Sequence, residues 1–351
     1  MPKISNKIFI ALVSFIYLQV GSLHAKVGLH AEVSYTFKVK HTEFIGSVEK
    51  EKGDKKTISF VGIPFAKPPV GDLRWKAPRE LDQLPNTFEA TTLPNRCMQV
   101  SNFYDAMDGI EGGSIIGSED CLYLNIYLPE KAYNSNEKLP VMFWIHGGGN
   151  TWGYSASNLY TSGDFIMEHD VILVTTNYRL GPFGWFAYSG LNKDSDNELD
   201  QSANFGTLDI IKSLEWVNEN ISDFNGDPNN ITIFGESAGG HNVLALLVTQ
   251  QAKGFFHKAI SQSGYTKSSS LQNAYKSKNF NEEGISDSWT VLNKIIVDKQ
   301  LASDLNEANI FQLNSSNEVL RKILYETNAQ ELVNLYGDTF ETPLLTNDGL
   351  V

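Results

Sequence analysis

Runs of apolar, β-branched and aromatic residues punctuate the middle of the chain at Leu122 to Leu128, Val141 to Ile145, Val171 to Thr176 and Ile231 to Phe234. Each has the length of a strand and little polar alternation, so each is expected to be buried on both faces. Between the last two, Phe205 to Asn220 carries Leu208, Ile211, Leu214 and Val217 at helical spacing. Ala238 to Gln250 follows with Val243, Leu244, Leu246 and Leu247. Strand and helix therefore alternate. That predicts an α/β fold, a largely parallel central sheet with helices on both faces.

The flanks read differently. Val33 to Val39 alternates and Thr57 to Val61 precedes a glycine, which predicts a small N-terminal antiparallel extension. Gly62 to Pro78 is too rich in Pro and Gly for a regular element and reads as an ordered surface loop. Lys258 to Ser263 is expected to be a short strand, Tyr265 to Gly284 an irregular excursion, and Thr290 to Val297 and Glu318 to Tyr325 helices.

Charge and composition remove some functions. The 28 Lys and Arg against 41 Asp and Glu leave a net charge of −13 with no basic cluster, so nucleic acid is not an expected partner. At the N-terminus, Lys3 and Lys7 precede an apolar run from Ile8 to Val20, and small residues lead to Ala25. This is the pattern of a secretion signal over residues 1–25, too short to span a bilayer comfortably, and it predicts a secreted or periplasmic protein with one hydrolase-sized domain over residues 26–351. An exported chain can keep a disulfide, and Cys97 and Cys121 are expected to pair around a Gly- and Asp-rich loop, two buried thiols being the alternative. Sequons stand at Asn220, Asn230 and Asn314.

The candidate chemistry centres on Gly235-Glu-Ser237-Ala-Gly239, placed where a predicted strand runs into a predicted helix. A sharp strand-to-helix turn holds its central residue in a strained conformation, and glycines at the flanks leave room for neighbouring backbone, so Ser237 is held up as a nucleophile. A serine attacking an ester needs donors aimed at the oxygen that becomes negative. After the strand Val141 to Ile145, His146-Gly-Gly-Gly149 offers unobstructed backbone N–H groups for that purpose. Such a glycine run can also be a flexible turn or a phosphate cradle. Glu236 beside the serine fits electrostatic support or, equally, a carboxylate favoured by the helix dipole. Neither motif calls for a metal or a cofactor.

Taken with Gly62-Ile-Pro-Phe-Ala, Pro68-Pro, Leu73-Arg-Trp, Ser118-Glu-Asp-Cys-Leu-Tyr-Leu-Asn125, Asn177-Tyr-Arg-Leu-Gly181 and Phe224-Asn-Gly-Asp-Pro228, these motifs resemble the type-B carboxylesterases, a family that also includes the cholinesterases. The resemblance implies an α/β-hydrolase fold and hydrolysis of small-molecule carboxylic esters. By it Ser237 is the nucleophile, Gly148, Gly149 and Ala238 form the oxyanion hole, and Cys97 and Cys121 form the first disulfide. It departs from the cholinesterases inside that disulfide loop, where no Trp stands and Glu111 takes about its place; Phe103 and Tyr104 could stack on a cation or simply pack.

A second departure concerns the triad, which in this class runs Ser, acid, His. Only His241 and His257 follow Ser237. One turn into the helix, His241 is badly placed to take the serine proton, and His257 precedes a strand. No triad acid or base is therefore expected within this chain, and the C-terminus is expected to be incomplete. A non-catalytic binding protein built on the same fold, or a truncated product without function, is the rival expectation.

Overall fold

The computed structural model describes residues 34–135, 137–161, 163–188, 190–279, 287–337 and 345–351. The expected signal segment lies outside the described residues. Among the described residues the main sheet has nine strands, eight of them in one path: β1 Tyr35–Val39, β2 Thr42–Lys52, β3 Lys55–Pro64, β4 Tyr123–Pro129, β5 Leu139–Ile145, β6 Ile172–Thr176, β7 Gly226–Glu236 and β8 Lys258–Gln262. Their order is β1-β2-β3-β4-β6-β5-β7-β8, with short Thr87–Glu89 beside β2.

The helices are α1 Asp164–His169, α2 Phe205–Asn220, α3 Ala238–Val248, α4 Ser288–Asp298, α5 Leu305–Asn314, α6 Asn317–Glu326 and α7 Ala329–Gly337, with shorter turns between them.

The expected α/β architecture is present, with the sheet divided by direction. Strands β6, β5, β7 and β8 are parallel, whereas β1 through β4 pair antiparallel, and β4 also runs antiparallel to β6. The antiparallel part is thus larger than the apolar pattern predicted, because a strand buried on both faces reads the same in either direction. The Gly62 loop also begins later than expected, since β3 continues to Pro64.

Both sheet faces are covered at the inner parallel strands β6, β5 and β7. Val141, Phe143 and Ile145 of β5, Ile172 and Val174 of β6, and Ile231 and Ile233 of β7 enter the main core. Their neighbours Trp144 and Leu173 pack on the other face with Ile166 and Phe234. This two-sided burial is why the strands are uninterrupted apolar runs. In the antiparallel half, Phe37, Phe60 and Phe224 meet with ring centroids 5.3–5.6 Å apart.

Several quoted motifs are long-range knots. Arg74 of Leu73-Arg-Trp makes a two-pronged ion pair with Glu119 of Ser118-Glu-Asp at 2.5 and 2.6 Å. Asn125 accepts from the Gly62 N–H at 2.9 Å and donates to Ser155 and Thr175. At the other end of the chain, Asp348 accepts from Ser202 Oγ at 2.7 Å, Ala203 N–H and Asn204 Nδ2, tying the Asn347-Asp-Gly turn to the start of α2. Of the sequons, Asn220 is buried with its amide on the Trp216 carbonyl at 2.7 Å, which removes it as a glycan acceptor, while Asn230 is half-buried and Asn314 exposed.

Candidate active site

At the C-terminal end of β7 the chain turns through Ser237 into α3. Ser237 has φ 56° and ψ −120°, a conformation a non-glycine residue adopts only under constraint. Two backbone hydrogen bonds hold it: its N–H donates to the Gln262 carbonyl at 2.8 Å, and its carbonyl accepts from the His241 N–H at 2.9 Å. The flanking glycines are required by space. A Cβ at Gly239 would stand 2.1 Å from the Ile145 carbonyl oxygen, so only glycine lets α3 start against the end of β5. Ser237 is partly exposed, and among the described residues its Oγ makes no hydrogen bond.

The glycine loop after β5 lies against this turn. A Cβ at Gly147 would be 3.3 Å from Ser237 Cβ and 2.7 Å from the Glu236 carbonyl oxygen. Its carbonyls are tied one after another. His146 O accepts from the Tyr178 hydroxyl at 2.7 Å, Gly147 O from His146 Nδ1 at 2.9 Å, and Gly148 O from the N–H groups of Thr151 and Trp152 at 3.0 and 3.1 Å. In a trans peptide the N–H points opposite to the preceding C=O. Fixing the Gly147 and Gly148 carbonyls therefore also fixes the Gly148 and Gly149 N–H groups, aimed the other way. Among the described residues, the N–H groups of Gly148, Gly149 and Ala238 donate to nothing.

His146 is a neutral clamp in this loop. Burial pushes its imidazole down to about 4. The bond to Gly147 O assigns the proton to Nδ1, and the ring stacks on Tyr178 at 4.4 Å. A further tie comes from α3, where Asn242 Nδ2 donates to Asn150 Oδ1 at 3.0 Å, while the Asn150 carbonyl accepts from the Gly181 N–H at 2.7 Å.

Glu236 is exposed, one residue before Ser237, and its Oε2 lies 3.2 Å from where a Cβ at Gly147 would be. Cys97 and Cys121 are bonded to each other. Within the loop they close, Glu111 is exposed, and Phe103 lies on Tyr104, which stacks on Trp152 of the glycine loop at 5.3 Å. Tyr104 thus packs against the site's own wall.

The two histidines after Ser237 are engaged elsewhere. His241 is buried, stacked on Tyr265 at 4.2 Å with Nδ1 2.5 Å from the Tyr265 carbonyl, and burial lowers its pKa. His257 Nδ1 accepts from the Ile231 N–H at 3.3 Å. Neither hydrogen-bonds to Ser237 Oγ. No group of metal-ligating side chains occurs among the described residues, and no described helix is long and apolar enough to cross a membrane.

Sequence reading assigned no role to Tyr178, Asn242, Gln99 or Trp152, all of which touch the glycine loop. Tyr178 stands in the quoted Asn177-Tyr-Arg segment, the one signal that pointed near it.

Known proteins resemble this chain in family and fold. The model of the carboxylesterase family matches residues 34–338. The chain is 43% identical over 227 residues to juvenile hormone esterase of Tribolium castaneum, covering 64% of this chain and 35% of that protein. It is 43% identical over 213 residues to para-nitrobenzyl esterase of Bacillus subtilis, covering 61% and 41%. A solved PNB esterase superimposes with a TM-score of 0.68 at 30% identity, over 90% of this chain and 58% of that one. The matches thus span less than half the length of these two curated relatives.

Proposed function

This chain belongs to the carboxylesterase family, and on that premise we propose that it hydrolyses small-molecule carboxylic esters through an acyl-serine intermediate. Ser237 Oγ attacks the ester carbonyl carbon while a base, which none of the described histidines supplies, takes the hydroxyl proton. The C–O bond to the alcohol breaks, the alcohol leaves with that proton, and water then splits the acyl-serine to release the acid and restore Ser237. Gly148, Gly149 and Ala238 donate to the carbonyl oxygen as it turns negative, and Glu236 supports the positive charge that grows on the base. Neither His241 nor His257 is that base, since both are held by other partners.

The observation that carries this reading is the meeting of a strained Ser237 with a glycine loop in which the carbonyls of His146, Gly147 and Gly148 are each held by hydrogen bonds. Uncharged esters suit the site better than choline esters, because Tyr104 is stacked on Trp152 and the disulfide loop holds no Trp. We further assign residues 26–351 to one hydrolase domain exported after removal of a signal over residues 1–25, a route on which the Cys97–Cys121 bond persists.

The test is hydrolysis of p-nitrophenyl butyrate and labelling by a fluorophosphonate probe, wild type beside Ser237→Ala. Because no base bonds to Ser237 Oγ among the described residues, wild-type turnover and labelling are expected to be weak but measurable, and both are expected to be abolished in the variant. A folded, soluble wild type that is neither labelled nor active would overturn the proposal, as would activity that survives loss of the serine.

A further inference from the structure

Gln99 lies two residues beyond Cys97, is buried to 1% exposure, and uses its side-chain amide three times. Its Nε2 donates to the Cys97 carbonyl and to the Gly153 carbonyl, each at 2.9 Å, and its Oε1 accepts from the Gly153 N–H at 2.9 Å. The last two bonds form a paired, two-way clamp on a single peptide residue 54 positions away. Such a clamp fixes orientation as well as distance, because an amide that donates and accepts in one plane matches only one alignment of the backbone opposite.

What it clamps matters. Gly153 has φ 137°, and a Cβ there would stand 2.1 Å from His146 Nδ1 and 2.9 Å from Gly147 O. Gly153 is therefore the floor on which the His146–Gly147 hydrogen bond rests. That bond turns the Gly147 carbonyl inward and so aims the Gly148 N–H outward. The other end of the clamp is anchored at Cys97, whose sulfur is bonded to Cys121. A continuous rigid path thus runs from the disulfide through Gln99 and Gly153 to His146 and the donors beside Ser237.

We propose that Gln99 is a positioning residue for the oxyanion loop, coupling the Cys97–Cys121 loop to the direction of the Gly148 and Gly149 N–H groups. It touches no reacting atom and acts through Gly153 and His146. The catalytic part of this inference rests on the esterase reading above; the mechanical part does not.

Gln99→Met keeps length and burial but removes both donors and the acceptor, and Gln99→Glu keeps the acceptor while placing a carboxylate against two carbonyl oxygens. The first measurement is amide hydrogen exchange across residues 146–153, expressed relative to exchange across β6 in the same protein. Loss of two or three net hydrogen bonds is expected to raise that ratio by about tenfold or more in both variants. An unchanged ratio overturns the proposal, whether or not the variant is globally less stable.

The second is kinetic. On p-nitrophenyl butyrate, kcat is expected to fall about 10- to 100-fold with KM little changed, short of the loss from deleting a donor outright. A raised KM with unchanged kcat would overturn the catalytic role. If the wild type has no turnover, the esterase reading fails by itself, and the exchange ratio still decides whether Gln99 holds the loop.

Discussion

The Tyr178 hydroxyl donates to the His146 carbonyl at 2.7 Å while its ring lies stacked on the same residue's imidazole at 4.4 Å. One side chain thereby fixes both the backbone and the ring of the residue that opens the glycine loop. Tyr178 is fully buried, and burial raises its hydroxyl well above the usual range, so it stays a proton donor at every relevant pH. Its place is set by its neighbour Arg179, which is bound to Asp209 of α2.

Tyr178→Phe keeps the stacked ring and removes the hydroxyl, leaving the His146 carbonyl unpaired in a dry site. A buried orphan of this kind costs about 1–3 kcal/mol, readable as a lower midpoint in urea unfolding. Because the same carbonyl starts the sequence of fixed peptides, ester turnover is expected to fall about tenfold beyond any loss of folded protein. Unchanged turnover in the folded variant would detach Tyr178 from the oxyanion loop.

The ion pair beneath it makes a larger claim. Arg179 Nε and Nη2 donate to the two Asp209 oxygens at 2.7 Å each, the Arg179 N–H adds a third bond at 3.0 Å, and both side chains are buried. Asp209→Asn removes one charge and strands the other, which costs about 3–5 kcal/mol in such settings. Chemical denaturation should register it, and a loss below 1 kcal/mol would mean that water reaches Arg179.

How far the chain announced this structure follows from what each feature needs. Strands β4 to β7 and helix α2 were legible because burial on two faces, or on one helical stripe, leaves a period in the residues. Helix α5 was missed because its apolar residues form no stripe, although Asp304 three positions before Glu307 is a helix-start pattern and caps the first turn. Short α1 and α7 also went unread. Ser237 and the glycine loop were legible because each function is compressed into a few consecutive residues. The ties that aim the loop were not. Gln99 to Gly153, Tyr178 to His146 and Asn242 to Asn150 join residues 54, 32 and 92 positions apart by one or two hydrogen bonds, and such pairs leave no periodic trace.

The outer strand of the parallel half carries a solubility prediction. Every residue of β8 is exposed, its one sheet neighbour among the described residues is β7, and Leu247 and Val248 at the end of α3 are 54% and 76% exposed. An open strand edge beside apolar surface invites pairing between copies. Light scattering of this chain should rise with concentration, and Ile260→Lys should reduce that rise, since a charge on an edge strand opposes pairing. Equal scattering by the two proteins would mean that the edge is not what associates.

Acid should weaken the fold through His146. Burial holds its imidazole at about 4 in the folded protein, against an ordinary value of 6.5. Between those two pH values the unfolded chain binds a proton that the folded chain refuses, so stability is full above pH 6.5 and declines as pH falls toward 4. The difference corresponds to about 3 kcal/mol over that window. Other groups titrate there too, among them His241, whose pKa burial also lowers, so the contribution of His146 is read from a comparison. Urea unfolding of wild type and His146→Gln at pH 7 and pH 4.5 isolates it: the variant starts less stable, having lost the bond to Gly147, but loses about 2–3 kcal/mol less on acidification. Equal pH dependence in the two proteins would mean that the imidazole is protonated in place, and that the Gly147 carbonyl is held by a charged donor rather than a neutral one.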